Sequence, residues 1–163
     1  MLRYHFILIG CVSFLTGFGQ FRNVRISPAN RNPVEPSVAI NPLNTNEVAV
    51  GAVLDDYYVS TDGGVHWKSD TLKSPYGVYG DPVLQFDAKG RLYYFHLSNY
   101  PKGYWIDRIV CQFTDNFSDV NAFSEGSFPK PFGRKAQDKH WVDIDPNTGV
   151  IYMTWTQFDK YDS

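Results

Sequence analysis

From residue 34 onward the chain alternates short apolar runs with clusters of Gly, Pro, Asn and Asp. The runs include Val38-Ala39-Ile40, Val48-Ala49-Val50, Tyr57-Tyr58-Val59, Leu92-Tyr93-Tyr94-Phe95, Ile109-Val110-Cys111 and Val150-Ile151-Tyr152-Met153. They are rich in β-branched and aromatic residues and too short to supply a helical face, so they predict strands. Asn41-Pro42 and Asp145-Pro146 are suited to start turns, and Gly90 and Gly149 to supply backbone angles that other residues resist. The pattern predicts hairpins.

Sliding the chain along itself exposes a repeat. Glu35-Pro36-Ser37-Val38-Ala39-Ile40-Asn41 is followed by Glu47-Val48-Ala49-Val50. Asp81-Pro82-Val83-Leu84-Gln85-Phe86-Asp87 is followed by Gly90 and the run from Leu92 to Phe95. Lys139-His140-Trp141-Val142-Asp143-Ile144-Asp145 is followed by Gly149 and the run from Val150 to Met153. With Asn41, Asp87 and Asp145 taken as equivalent, the units lie 46 and 58 residues apart, about one four-stranded propeller blade each. The expected fold is therefore all-β: an incomplete β-propeller over residues 21–163, about two blades plus the first hairpin of a third. Unrelated hairpins of a β-sandwich are the competing arrangement, and repetition of the whole strand–turn–strand unit weighs against it.

Between the first two copies stands Ser60-Thr61-Asp62-Gly63-Gly64-Val65-His66-Trp67, which fits the Asp-box pattern Ser-x-Asp-x-Gly-x-x-Trp at every defined position. A hydroxyl and a carboxylate at this spacing suit the exposed N–H groups of a tight hairpin. Gly63 and Gly64 permit positive φ, and Trp67 returns to pack on the sheet. The motif predicts a structural role for Ser60, Asp62, Gly63, Gly64 and Trp67, with Asp62 a turn-former and not a catalyst. After the second copy, only Thr114-Asp115 survives of an equivalent box.

Composition agrees with this picture. Aromatic residues make up 17% of the 163 residues, beside 13 Gly and 10 Pro, a globular β composition. A formal net charge of −2 offers no basic surface to nucleic acid or an anionic membrane. Residues 1–20 read as a signal peptide: Arg3 and His5 supply a basic start, Phe6 to Phe18 an apolar run, and Gly17-Phe18-Gly19 a small-x-small cleavage pattern. The run is too short for a permanent bilayer span, so the mature protein is expected to be secreted or held at the cell surface. Leu8-Ile9-Gly10-Cys11 resembles a lipobox, which makes anchoring through Cys11 the lesser alternative. Cleavage after Gly19 or Gln20 leaves Cys111 alone, without an internal disulfide partner and expected as a small core residue.

The Asp box and the segments Glu35-Pro36-Ser37-Val38-Ala39-Ile40-Asn41-Pro42, Gly80-Asp81-Pro82-Val83 and Asp138-Lys139-His140-Trp141-Val142-Asp143-Ile144-Asp145 resemble the Asp-box, or BNR-repeat, proteins related to sialidases. The resemblance covers roughly residues 22 to 160. It implies a six- or seven-bladed propeller, and so an expectation that these residues are an N-terminal fragment whose isolated arc leaves apolar faces bare. Catalytic members of the family use an arginine cluster for the substrate carboxylate, a Tyr nucleophile supported by Glu, and an Asp acid/base. Arg25-Ile26-Ser27-Pro28 resembles the motif of the first arginine, with Val24 replacing an aromatic and Ser27 a proline. The pair Asp55-Asp56 resembles the acid/base position in chain order. A carboxylic acid there would need a raised pKa to protonate a leaving oxygen at neutral pH. Adjacent Asp residues also occur in plain solvated turns.

The repeats point to a second constellation. Glu35, Asp81 and Asp138 stand just before the first strand of each copy. In a propeller that strand is usually innermost, so the three carboxylates are expected to converge near a central channel, holding a cation such as calcium or polar sugar groups. His140 and Trp141 would add a hydrogen-bonding and a stacking surface, while the competing reading is acid-before-proline turns at strand entry. The other histidines, His5, His66 and His96, show no zinc spacing; no metal-ligating residue set is expected, and no cofactor beyond a structural or channel cation such as calcium.

Two functions follow. One is a secreted exo-glycosidase acting on terminal acidic sugars, with Arg25 binding carboxylate and Asp55 or Asp56 as acid/base. The other is a non-catalytic propeller that binds glycans or proteins outside the cell. Fold alone does not choose between them; the degraded arginine motif favours the second.

Overall fold

In the computed structural model, residues 23–99, 101–102, 104–131 and 133–159 are described. The signal peptide read at residues 1–20, with Cys11, lies outside them. The described chain is all-β, arranged as small antiparallel sheets. The first contains β1 (Val34–Ile40), β2 (Val48–Val53), β3 (Asp56–Ser60) and β4 (Lys68–Thr71) in that order. The second contains β5 (Gly80–Phe86), β6 (Leu92–Leu97) and β7 (Ile109–Thr114). The third pairs β8 (Ala136–Ile144) with β9 (Ile151–Phe158).

Successive side chains of a strand point to opposite faces, and here both faces of the second sheet are used. Ala49, Tyr57 and Val59 of the first sheet, with Leu72 just after β4, pack on Leu84, Phe86, Leu92 and Tyr94 of the second. On the far face of the second sheet, Val83, Phe95, Leu97 and Ile109 meet Ala136 and Val142 of the third. Tyr94 and Phe95, adjacent in sequence, thus sit in different interfaces, which is why β6 reads as an unbroken apolar run. The outer face of the first sheet, Val50, Ala52 and Tyr58, is covered by Ile26 and Trp67. Burying each such large side chain is worth about 1.5–3 kcal/mol.

The sheets therefore stack in chain order with their first strands adjacent: β5 packs beside β1 and β2, and β8 beside β5. Side chains lace these strands together. Leu84 N–H donates to Ser37 Oγ at 3.1 Å, and Gln85 Nε2 donates to the Val142 carbonyl at 3.2 Å.

A fourth regular strand is missing from the second sheet among the described residues. Instead, residues 124–127 run irregularly along β7, with Cys111 and Ser127 exchanging backbone bonds of 2.7 and 2.9 Å. Gly126 explains the approach: at φ 102° with a Cβ it would lie 2.7 Å from Val110 Cγ1.

The first turns of the three copies share their chemistry. Asn41 Oδ1 accepts from Leu43 N–H, Asp87 Oδ1 from Lys89 and Arg91 N–H, and Asp145 Oδ1 from Asn147 N–H. Each is an Asx turn, in which a short side chain replaces a backbone acceptor.

Candidate functional site

Each first strand carries a bulge close to its start. The register slips between Val34 and Ser37, between Gly80 and Val83, and between Asp138 and Trp141. Within these bulges Glu35, Asp81 and Lys139 adopt left-handed φ values of 51°, 49° and 47°. For residues with a Cβ this costs about 1–2 kcal/mol each, and such bulges re-aim side chains. Two sequence expectations are corrected here. The acidic residues lie inside the first strands and not before them, and the residue equivalent to Glu35 and Asp81 is Lys139, with Asp138 one position earlier. Lys139-His140 aligns with Glu35-Pro36 and Asp81-Pro82 in the repeat.

The bulges bring these charges together. Glu35, Asp81 and Lys139 line a cleft of about 420 Å³ with Ser37, His140 and Trp141. The same three residues, with Asp138, line an adjoining cavity of about 290 Å³ against Tyr79, Trp105 and Ile106. Burial, hydrogen bonding with Glu35 and the charge of Asp138 push the Asp81 carboxyl up to about 6, because neighbouring carboxylates resist ionising together. Asp138 also accepts a 2.7 Å bond from Lys139 N–H. Trp141 is 68% exposed at the cleft wall, whereas His140 is 2% exposed and held down to about 4 by loss of water, so its imidazole is neutral at pH 7.

On the opposite flank, Trp105 packs edge-on against Tyr79 with ring centroids 5.1 Å apart. Its neighbour Ile106 holds φ 46°, bonding through N–H to the Ser98 carbonyl and through its own carbonyl to Gln137 N–H. This ties the loop between β6 and β7 to the start of β8. Trp105 escaped the sequence reading because its loop has no counterpart in the first sheet, where a tight turn joins β2 to β3. Among the described residues, no group of three or more His, Cys, Asp or Glu side chains is arranged to hold a metal ion.

The residues assigned by resemblance to catalysis lie elsewhere. Arg25 is exposed, and its guanidinium donates to the carbonyl oxygens of Ser27, Pro28, Ala29 and Arg31, so it organises its own loop. Asp56 is buried at the start of β3 and paired with Arg31 at 3.0 Å. Asp55 sits in the β2–β3 turn, where its carbonyl accepts from Leu72 N–H at 2.9 Å. None of the three lines the carboxylate cleft or its adjoining cavity.

At the β3–β4 hairpin, Ser60 Oγ accepts from Gly64 N–H and donates to Asp62 Oδ1, both at 2.9 Å. Asp62 Oδ1 accepts from Val65 and His66 N–H at 3.1 and 2.9 Å, and Oδ2 pairs with His66 Nδ1 at 2.6 Å. The bond from the His66 backbone, then its ring, pulls the Asp62 carboxyl down to about 2. Gly63 and Gly64 hold φ of 69° and 87°, and Trp67 Nε1 donates to the Gly64 carbonyl at 2.9 Å. Ser60 pairs with Val48, which pairs with Ile40, whereas Glu35 lies at the other end of β1. The box and the carboxylates thus occupy opposite ends of the first sheet, roughly 20 Å apart at 3.3 Å per residue.

Two further side chains can be placed. Cys111 is half-buried on the core of the second interface, and burial pushes its thiol up to about 12, so it stays protonated and inert. His96 lies within β6 and is fully buried. Comparison with protein-family models, with curated proteins and with solved structures finds no match for the chain.

Proposed function

We propose that the three sheets are successive blades of an exported, sialidase-like Asp-box β-propeller whose carboxylate cleft binds glycans without cleaving them. The observation that carries this reading is the set of equivalent left-handed bulges that turns Glu35, Asp81 and Lys139 into one cleft beside an exposed tryptophan. Face-to-face stacking in chain order, adjacent first strands and an Asp box at the far end of its sheet support the blade arrangement. Carboxylates and an ammonium suit the hydroxyls of a sugar, and an indole face suits its ring. The binding role is supported over hydrolysis of acidic sugars by Arg25, whose guanidinium is occupied by four local carbonyls.

The test is glycan binding by the complete protein. Trp141→Ala is expected to weaken it about tenfold, the loss of a stacking platform, while the melting temperature stays near wild type. Unchanged binding would remove the cleft from the account.

Hydrolysis is the second reading, favoured by the Asp81 carboxyl. A group poised near 6 beside other carboxylates suits a general acid that protonates a leaving oxygen. Turnover of a fluorogenic glycoside that disappears in Asp81→Asn would establish it; absence of turnover across neutral, amino and acidic glycosides would eliminate it.

A further inference from the structure

Strand register makes positions in the three sheets comparable. Ala39–Ala49, Gln85–Tyr93 and Asp143–Tyr152 are equivalent cross-strand pairs, as are Ile40–Val48, Phe86–Leu92 and Ile144–Ile151. Ala39 and Ala49 face the following sheet in the first interface, where Phe86 and Leu92 face back toward them. Tyr93 and Ile151 meet in the same sense in the second interface. Because side chains alternate along a strand, Val38 and Ile40 point away from the second sheet, and Asp143 and Tyr152 away from it on the other side.

At the two ends of the stack these positions are bare. Val38 and Ile40 are 63% and 55% exposed, whereas their equivalents Leu84 and Phe86, and Val142 and Ile144, are all buried. Ile26 and Trp67 cover Val50, Ala52 and Tyr58 on the outer face of the first sheet but leave this β1 strip open. Tyr152 is 62% exposed, whereas Ala49 is fully buried and Tyr93 half-buried. The two surfaces are the separated halves of one interface, the kind in which β5 lies beside β1 and β2. Val38 and Ile40 are what a first strand presents to the sheet before it, and Tyr152 belongs to the face that receives such a strand. Every copy of the chain carries both halves, so a second copy can supply to each what it lacks. Burial of apolar surface favours that contact.

Building on the blade reading above, we infer that a second copy docks head to tail, with β1 of one copy on β8 and β9 of the other, and that the reciprocal contact closes a ring. Three sheets from each of two copies make six, a number within the range of closed propellers. A head-to-tail contact either closes in this way or grows without limit. Val38 and Trp141 also line the carboxylate cleft, so the docking surfaces run into it, and the ring sets the two clefts around one axis. Further sheets of the same polypeptide are the competing occupant, and they predict a monomer.

The experiment is analytical ultracentrifugation of the complete protein over a wide range of concentration, where a single species of twice the chain mass is expected. Ile40→Arg and Tyr152→Arg alter exposed positions that line neither the cleft nor its adjoining cavity. Each is expected to weaken the dimer about a hundredfold, since an unpaired guanidinium would be buried at both junctions. Mixed in equal amounts, the two variants are expected to pair again, through the one junction that holds neither substitution. A face packing on its own copy would not be restored by mixing. The wild-type mass is a readout that needs no variant. A monomer at every concentration, an open-ended series of larger species, or a dimer indifferent to both substitutions overturns this inference and leaves the blade arrangement standing. Fast hydrogen exchange at the Leu84 amide of the wild type, which Ser37 holds across the first interface, overturns the stacking on which both rest.

Discussion

The Tyr57 hydroxyl, on β3 of the first sheet, donates a 2.6 Å hydrogen bond to the Phe117 carbonyl oxygen, beyond the last strand of the second. Tyr57 is 2% exposed, and its ring meets Tyr94 and Phe123 edge-on. One side chain thus contributes both apolar contact and a polar link to the first interface. Tyr57→Phe keeps the ring and leaves a carbonyl unsatisfied, so it is expected to cost about 1–3 kcal/mol. A denaturant titration with an unchanged midpoint would contradict that role.

Ser37 makes the corresponding link between first strands, accepting from Leu84 N–H. Ser37→Ala orphans that donor and is expected to destabilise by about 1 kcal/mol or more. Because Ser37 also borders the cleft, the same variant is expected to weaken ligand binding beyond the change in stability. Hydrogen exchange at the Leu84 amide should accelerate; wild-type protection there would show that the bond does not form in solution.

The Asp box predicts a pH signature. Asp62 has its carboxyl lowered to about 2 from an ordinary 3.8, so it stabilises the fold fully above about 3.8 and loses that contribution as pH falls toward 2. Asp62→Ala is expected to lower the melting temperature at pH 7 and to converge on wild type below pH 4. A constant gap at all pH values would mean that the carboxylate is not what shapes the turn.

Hairpins, the repeat and the turn chemistry were legible in the sequence because each rests on local rules. Apolar runs, Asx residues and paired glycines act on their immediate neighbours. Lys139 was harder to find, since the bulge that equates it with Glu35 and Asp81 is a matter of strand register, which residue identity alone does not reveal. Trp105 depends on how one loop tucks between two sheets. Arg25 shows a related limit of local rules: a sequence motif does not say whether a guanidinium reaches outward or folds back on its own carbonyls, as this one does.

Buried histidines give a second pH effect. His96 and His140 are both held down to about 4 from an ordinary 6.5, chiefly by loss of water. Tyr94 faces His96 edge-on, and Asp138 and Lys139 act on His140 with opposite signs. Depressed basic groups take up protons first in the unfolded chain, so their contribution is whole above about 6.5 and lost as pH falls toward 4. Melting temperature is expected to drop across that window, and His96→Gln with His140→Gln is expected to flatten the drop. An equally steep fall in the double variant would contradict the assignment.

Asp81 runs the other way. Its carboxyl is raised from 3.8 to about 6, so the fold gains most from it below about 3.8 and loses that gain as pH rises through 6. Asp81→Asn is expected to raise the melting temperature at pH 8 and leave it nearly unchanged at pH 3.5, the pattern of a residue kept for binding at a cost in stability. The most direct test of the gathered carboxylates is the titration of the Asp81 side-chain carbon by NMR in the complete protein. A midpoint near 6 that falls toward 3.8 when Glu35→Gln and Asp138→Asn are combined is the result expected. A wild-type midpoint near 3.8, or one indifferent to both substitutions, would mean that the three bulges do not share a cleft.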